Sequence, residues 1–443
     1  MKNLHILSFT ICMLCATTNL SAQSYYGVVE EGPTIFIMSE GVCPSTSAKC
    51  PSAAKADDVR NGFEQTLRRG FRQAPNPQFI FSTPNGRFAL GFGGFVNLRS
   101  SYDMKGAVSS IDFRPYDIPL AATYANRQRV MMDATTSRLF TKAVINSSTL
   151  GRVVVYADMD FRGGAEFSYM PRLRSAYVSM LGFTAGRDVT TFCDLMACPT
   201  TVDFEGPNAY NFEFATLVRY EGKCFDDHIS YGIAAEMPVV SGTYGENFAP
   251  ISQRVPDVPM YMQFAWGEKR QSHFRASAVL RNMYLHNVAS GNNTSLFGWG
   301  VQASGRVTIG DIATIFYNGV YGKGVAQYIQ DLAGSGLDFT PNPENYAQIQ
   351  TMPMWGVQAS AQINIVPSLL AVTGGYSIVK VERENGFYSP DQYNRGTYIF
   401  GNVFLTLTPN CRLAAEYLHG TRKNMNSEKG AANRLSLMVQ YNF

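Results

Sequence analysis

The sequence predicts an all-β fold, a transmembrane antiparallel β-barrel of about 16 strands that follows a small N-terminal segment. The last strand, 433–443, alternates apolar and polar side chains throughout and ends in an aromatic residue. Connections between the predicted strands alternate between short and long, which is typical of barrels with short periplasmic turns and longer outer loops. After the N-terminal leader, no uncharged apolar run reaches about 18 residues, so spanning helices are not predicted. The alternation alone would also fit the half-buried edge of a soluble β-sandwich.

Residues 1–22 carry the pattern of a secretory signal peptide. Lys2 precedes an apolar stretch that ends at Ala16, and small residues follow up to Ala22. This pattern predicts cleavage after Ala22 and export of an unlipidated chain. Loss of Lys2 lowers the formal net charge from +3 to +2, so charge gives no reason to expect a nucleic-acid partner. Charged residues make up only 16% of the chain, against about 25% in ordinary soluble domains, which suits a surface that faces lipid.

Residues 23–86 differ in character and are predicted to form a small periplasmic segment. A hairpin over 25–38 is followed by a cysteine-bearing loop and then by a short helix over 56–69. The helix has one narrow apolar stripe and is followed by a glycine stop. We therefore expect it to pack on the floor of the barrel or on copies of itself.

The barrel domain is predicted over 87–443, with eight strands in each direction. The short turns between them are rich in Gly, Pro, Asn, Asp and Ser, the residues that favour tight turns. The predicted upward strands are 88–99, 151–162, 183–189, 228–237, 272–282, 312–322, 368–381 and 412–422. Their downward partners are 135–146, 172–181, 211–221, 258–266, 299–308, 351–365, 397–408 and 433–443.

The inward face of the second to fourth strands is predicted to carry a basic wall. Neighbouring strands lie about 4.8 Å apart, so these side chains should form one patch. Guanidinium groups bind carboxylates bidentately, and a ladder of them in a narrow pore favours anions. The alternative is internal pairing with the two acids on the same face. The residues concerned are Arg138, Lys142, Arg152, Arg162, Arg172 and Arg174, with Asp158 and Asp160.

The long connection from Thr190 to Tyr210 is a second candidate site. If it folds inward it would narrow the channel, and Asp203 and Glu205 would face the basic wall. The two signs of charge would then create a transverse field across the constriction. The alternative is an ordinary surface loop outside the barrel.

Two pairs of cysteines are spaced for local disulfides in an oxidising compartment. A bridge in the long connection would stiffen it. Zinc binding is not predicted, because no second CxxC-like pair and no clustered histidines accompany any of these cysteines. The candidate pairs are Cys43 with Cys50 and Cys193 with Cys198.

The sequence does not favour an enzyme or a cofactor-dependent protein. The histidines after the leader are scattered, and none has a nucleophile or carboxylate at a spacing that indicates a triad. No phosphate-binding loop has the required spacing. We therefore predict no catalytic residue and no cofactor.

A series of short motifs recurs in order along the predicted barrel: Gly94–Val96, Ser137–Leu139, Leu173–Tyr177, Gly186–Phe192, Val202–Pro207, Arg254–Asp257, Trp299–Val301, Tyr321–Gly324, Tyr328–Ile329, Ala415–Tyr417 and Tyr441–Phe443. In their order and spacing these motifs resemble those of the DcaP-type porins, trimeric outer-membrane channels associated with dicarboxylate uptake. The resemblance implies a 16-stranded homotrimer with an arginine-lined constriction, and it transfers most directly to Arg138, Lys142 and Arg174.

The sequence therefore predicts a porin of the bacterial outer membrane for passive diffusion of small, preferentially anionic solutes such as dicarboxylates. Expected partners are outer-membrane lipid, lipopolysaccharide and two further copies of the chain. The alternative is a structural or adhesive barrel whose lumen is plugged and whose surface loops, for instance 323–350, bind a partner.

Overall fold

The computed structural model describes residues 34–37, 41–42 and 53–443. Its elements, in chain order, are β1 (Thr34–Ile37), β2 (Gly41–Val42), α1 (Ala53–Gln65), β3 (Phe79–Ser82), β4 (Phe88–Lys105), β5 (Arg129–Asp133), β6 (Arg138–Ser147), β7 (Gly151–Gly163), β8 (Met170–Met180), β9 (Phe183–Val189), β10 (Phe214–Cys224), β11 (Ile229–Glu236), β12 (Phe248–Pro250), β13 (Val258–Trp266), β14 (Ser272–Asn287), β15 (Asn292–Ile309), β16 (Ala313–Lys323), β17 (Phe339–Asn342), β18 (Asn345–Thr351), β19 (Pro353–Val366), β20 (Leu370–Val381), β21 (Tyr393–Thr408), β22 (Cys411–Asn424) and β23 (Lys429–Asn442). Short 3-10 turns lie at Pro115–Asp117, Tyr124–Asn126, Leu195–Ala197 and Ala326–Tyr328.

Sixteen of these strands close into one antiparallel wall: β4, β6 to β11, β13 to β16 and β19 to β23. The last strand pairs with the first from Asn433 opposite Lys105 down to Asn442 opposite Phe95. Closure leaves the wall without an unpaired edge, which a sheet in lipid requires. Each of the sixteen predicted strands overlaps one wall strand, so the predicted fold class is confirmed. Within the described residues, no helix combines the length and apolar character needed to cross a bilayer.

Some wall strands are longer at their outer ends than predicted. β14 continues to Asn287 and β15 begins at Asn292, where the sequence is polar. The two form a hairpin whose backbone hydrogen bonds do not depend on apolar side chains. The period-2 pattern therefore marks the part of the strand in lipid and not the whole strand.

The alternation predicted for the last strand is present in β23. Leu435, Leu437 and Val439 are about half exposed on the outer face, whereas Arg434 and Ser436 are buried on the inner face. A charge on the outer face near the middle of the bilayer would cost about 2–4 kcal/mol. The two solvents on either side of the wall thus account for the pattern.

The chain ends inside a backbone pairing. The Phe443 amide donates to the Gly94 carbonyl at 2.9 Å, and the Gly94 amide donates to the Phe443 carbonyl at 2.8 Å. A Cβ on Gly94 would lie 2.5 Å from the Arg138 carbonyl oxygen, so only glycine allows this approach. Below this point β3 replaces β23 as the neighbour of β4.

α1 packs against the inner faces of β4 and β6 at their periplasmic ends. Val59 and Phe63 of the helix are buried together with Ala89 of β4 and Val144 of β6. The helix ends at Gln65, four residues earlier than predicted. From there the chain turns towards the lumen, and the helix therefore leads into the site described below.

Candidate functional site

The long connection between β9 and β10, residues 190–213, lies inside the barrel. The Gln358 amide donates to the Ala197 carbonyl at 3.1 Å, and the Glu416 carboxylate accepts from the Val202 amide at 2.9 Å. These side chains belong to β19 and β22, which stand nearly opposite β9 in the closed order of strands. The connection therefore crosses the lumen, and we call it the inward loop.

A six-residue repeat in the sequence accommodates the inward loop. The segments 299–304 and 355–360 are identical, and both lie on wall strands. A Cβ on Gly356 would lie 2.9 Å from the Ala209 Cβ of the inward loop. A Cβ on Gly300 would lie 3.1 Å from Cγ1 of Val325, in the loop that follows β16. The two glycines thus leave room for chain packed against the inner wall.

Residues 66–75, which we call the luminal segment, enter the barrel from the periplasmic side and meet the inward loop. Gly70 has a φ of +143°, and a Cβ there would lie 2.6 Å from the Leu195 carbonyl oxygen. The Arg138 guanidinium of the wall donates to the Arg72 carbonyl at 2.7 Å. Two separate stretches of chain therefore narrow the same part of the lumen.

Four guanidinium groups surround the Phe204 ring at the point where these elements meet. Arg72, Arg99, Arg162 and Arg174 lie 5.5, 5.1, 5.0 and 5.4 Å from its centroid. An aromatic face attracts cations within about 6 Å, so one ring holds together groups that would otherwise repel one another. They come from the luminal segment and from three wall strands.

Much of the predicted basic wall is paired with its own acids. Arg174 lies 2.9 Å from Asp160 and 3.6 Å from Asp158, and Arg138 also lies 3.6 Å from Asp158. Arg172 approaches Asp160 at 2.6 Å. These residues are brought together as predicted by position, but the pairing alternative describes their contacts better than an open basic ladder.

Of the other predicted wall residues, Lys142 and Arg152 lie apart from this network, whereas the Arg162 amide donates to Asp160 at 3.2 Å. Lys142 donates to a backbone carbonyl of α1 at 3.1 Å. Arg152 is exposed at the periplasmic edge and donates to the Gln65 side chain at 2.6 Å. Arg162 forms a bidentate pair with Asp112 of the first outer loop. Lys142 and Arg152 thus hold the N-terminal helix and do not contact the cluster around Phe204.

A cavity of about 320 Å³ lies between the luminal segment, the inward loop and the wall. Among the described residues, no Asp or Glu lines it. Two nitrogens each of Arg72 (Nε and Nη2) and Arg99 (Nε and Nη1) are buried and have no hydrogen-bond partner. Buried donors without a partner are costly, so the cavity favours an acceptor. The lining arginines are Arg68, Arg69, Arg72, Arg99, Arg138 and Arg412.

Sequence reasoning missed Arg72 and Arg99, which each have two buried nitrogens without a hydrogen-bond partner. Arg99 lies on the inward face of the first wall strand, in step with Asn97 and Ser101, so its parity could have identified it. Arg72 carries no such signal. Its position depends on the luminal segment entering the barrel, which no local pattern predicts.

The two acids singled out in the inward loop have different roles. Asp203 accepts from the Tyr398 hydroxyl at 3.0 Å and from the Phe113 amide at 3.1 Å, and so connects the wall and the first outer loop. Glu205 has no such partners for its carboxylate among the described residues. Burial, with the Asp112 carboxylate next in importance, raises the pKa of Glu205 to about 8. Glu205 is therefore mostly neutral at pH 7, and the field predicted across the constriction is weaker than two ionised acids would give.

The predicted bridge in the inward loop is absent. Cys193 and Cys198 are both buried free thiols, and the Cys193 sulfur lies 3.3 Å from the Tyr210 hydroxyl. Burial raises the pKa of Cys193 to about 12 and that of Cys198 to about 11, so both stay protonated. Hydrogen bonds to the wall hold the loop instead. The pair Cys43 and Cys50 lies outside the described residues.

A carboxylate, a histidine and a serine meet at Asp194, but not in a catalytic arrangement. His273 Nε2 and Ser304 Oγ both lie 2.8 Å from the same oxygen, Asp194 Oδ2. The serine therefore bonds the carboxylate and not the imidazole, and the group anchors the inward loop. No group of three or more possible metal ligands occurs within the described part of the chain.

The model of the DcaP outer membrane protein family matches residues 58–443. The chain belongs to this family. The chain is thus an outer-membrane barrel of the porin class, and family and fold together indicate a transport protein. No protein with a curated description matches the sequence.

Solved structures share the fold. The outer membrane channel DcaP of Acinetobacter baumannii superposes with a TM-score of 0.69 at 18% identity, over 80% of this chain and 97% of that one. An anion-selective porin from Comamonas acidovorans gives 0.53 at 11% identity, over 80% and 100%. A loop-deletion mutant of OmpT from Vibrio cholerae gives 0.51 at 12% identity, over 81% and 100%.

Proposed function

We propose that this DcaP-family porin passes small anionic solutes, with dicarboxylates as the preferred class. The observation that carries the proposal is the luminal cavity, which six arginines line and which, among the described residues, no carboxylate enters. Anions would exchange their water for guanidinium donors that are otherwise unpartnered. The solute thereby offsets a cost that the empty site carries.

The arrangement supports carboxylates in particular. Arg72 leaves Nε and Nη2 free, the edge of the guanidinium group that can bind both oxygens of one carboxylate, and Arg99 leaves Nε and Nη1 free for separate acceptor atoms. Arg72 also donates to the Gln330 side chain at 3.1 Å, and the Phe212 ring lies 4.7 Å from its guanidinium carbon. These contacts hold the Arg72 guanidinium in place before a solute binds.

The arginines that are paired with Asp158 and Asp160 do not form a second binding site for anions. Asp158 and Asp160 neutralise Arg138, Arg172 and Arg174 in part. A guanidinium group that is already paired with a carboxylate binds a passing anion weakly. If every arginine in the lumen were paired in this way, the channel would have no preference for anions. The proposal therefore depends on Arg72 and Arg99.

The test is the reversal potential of single channels in planar bilayers under a salt gradient, with succinate added as a blocker. Wild type is expected to prefer anions and to be blocked by succinate. The double variant Arg72→Gln, Arg99→Gln should lose both properties, while Arg270→Gln, an exposed periplasmic change, should retain both. If the double variant does not assemble, Arg72→Gln alone is tested, because this substitution changes no residue of the wall. Equal anion preference in wild type and in either Arg72 variant would overturn the proposal.

A plugged barrel is the second candidate, and the luminal segment favours it. The segment spans part of the lumen, and its Arg68 forms an ion pair with Asp188 of the wall. In that case wild type would be closed and would conduct only after removal of residues 23–78. Single-channel recording of both proteins separates the two functions.

We further infer that the functional unit is a homotrimer that lies among outer-membrane lipids and lipopolysaccharide after loss of the leader. The family resemblance supports this inference. Native mass spectrometry of the purified protein should give three copies of a chain that begins at Gln23. A monomer, or an uncleaved leader, would contradict it.

A further inference from the structure

We propose that the outer rim of the barrel binds the phosphate groups of lipid A, the anchor of outer-leaflet lipopolysaccharide. The proposal rests on the outer-membrane location and not on the proposed anion transport. The site is a cleft of about 980 Å³, here called the rim cleft, at the outer ends of β4 and β21 to β23. Its cationic lining residues are Lys105, Arg127, Arg395, Arg422, Lys423 and Lys429.

Three of these cations form a row across neighbouring strands. Arg395 of β21 stands opposite Lys423 of β22, and Lys423 stands opposite Lys429 of β23. Arg395 shares the face of Ile399, and Lys429 shares that of Leu435, both of which are more than 40% exposed on the lipid side. The row therefore faces outwards and not into the lumen.

The row lies above the apolar band of the wall. Arg395 lies 13 residues from Thr408, the periplasmic end of β21, which is about 43 Å along the strand and about 33 Å in height at a tilt of about 40°. The apolar band of such barrels is only about 25 Å tall. The cations are thus placed beside the headgroups of the outer leaflet, where the phosphates of lipid A lie.

The charges in the rim cleft are uncompensated. Like charges directly opposite on neighbouring strands are destabilising. Among the described residues, no Asp or Glu lines the cleft, and none of its six cations lies within 4.0 Å of a carboxylate. Only Arg422 makes side-chain hydrogen bonds, to Asn424 and to the Tyr116 carbonyl. A ligand with two phosphates would supply the missing counter-charge.

The rest of the lining suits a glycolipid better than a free phosphate ion. Met104, Pro119, Leu120 and Ala122 present apolar surface in the same cleft. An inorganic phosphate would leave this surface in water, whereas a phosphorylated lipid anchor can cover it. Mobile exposed lysines also bind a lone small anion weakly, because each pair is worth little in water.

The experiment uses protein refolded from inclusion bodies, which is free of lipopolysaccharide, and native mass spectrometry with added diphosphoryl lipid A. Wild type should bind diphosphoryl lipid A. The double variant Lys423→Gln, Lys429→Gln, called the rim variant, should bind it roughly 10- to 30-fold more weakly, since each surface cation raises the affinity for anionic lipid about fivefold. Lys269→Gln, Arg270→Gln carries the same charge change at the periplasmic end and should bind as wild type does.

Several results would overturn the proposal. They are equal binding by the rim variant, equal binding of lipid A that lacks both phosphates, and displacement by millimolar inorganic phosphate. A changed oligomeric state with unchanged lipid binding would assign the rim cleft to contacts between copies instead. If the double variant does not assemble, Arg395→Gln alone tests the same row. Channel conductance should be the same in the rim variant and in wild type, which separates this site from the lumen.

Discussion

Replacing Val155 by arginine tests the assignment of the two faces of the wall. Val155 lies on the outer face of β7, and its side chain is 44% exposed. It follows the periplasmic start of the strand, Gly151, by four residues, about 13 Å along the strand and roughly 10 Å in height at a tilt of about 40°. That is close to the middle of an apolar band about 25 Å tall, where an arginine costs about 2–4 kcal/mol.

The same substitution at Val153, two residues nearer the turn, should cost about 1 kcal/mol or less, because the cost falls towards the interface. The assay is equilibrium unfolding in denaturant after refolding into lipid vesicles, with heat-modifiable migration in gels as the test of assembly. Val155→Arg should lower the free energy of unfolding and the yield of assembled barrel more than Val153→Arg does. Equal stability of Val155→Arg and wild type, or a larger loss at Val153, would refute the assignment of faces and depth.

Three further predictions concern the lumen. Because the pKa of Glu205 is raised to about 8, its negative charge appears as pH rises through 8; anion preference in bilayers should fall over that range in wild type and not in Glu205→Gln. Gly70→Val should push the luminal segment away from Leu195, since its Cβ would lie 2.6 Å from that carbonyl oxygen; single-channel conductance should rise while gel migration shows an intact barrel. Arg434→Met leaves buried Asp103, now paired at 2.6 Å, without its cation, which should cost about 3–5 kcal/mol in denaturant unfolding, and adding Asp103→Asn should recover part of the loss.

The wall of the barrel could be predicted strand by strand because its pattern is local. Lipid on one side and water on the other act on every second residue, so the period appears within each ten-residue stretch. Val155 and Leu437 are assigned to a face from their neighbours alone. The same reasoning places Arg138, Arg174 and Asp160 on the inner face, where they are found.

The contents of the lumen could not be predicted in this way. Parity puts Arg174 and Asp160 on one face, but only the register and a shift between β7 and β8 decide that they pair at 2.9 Å. The missing bridge between Cys193 and Cys198 has the same origin. Hydrogen bonds from strands that are distant in the sequence hold the inward loop, and the spacing of two cysteines cannot predict such contacts.

The sequence by itself determined the barrel, its number of strands and the direction in which each side chain points, since a membrane imposes these on short stretches of chain. Only the tertiary structure decided that the luminal segment brings Arg72 beside Arg99 and Phe204. These residues lie on separate segments of the chain, and their meeting depends on the shape of the closed wall and on close approaches such as the one at Gly70. The site therefore arises from contacts between segments, which no periodicity in one segment can encode.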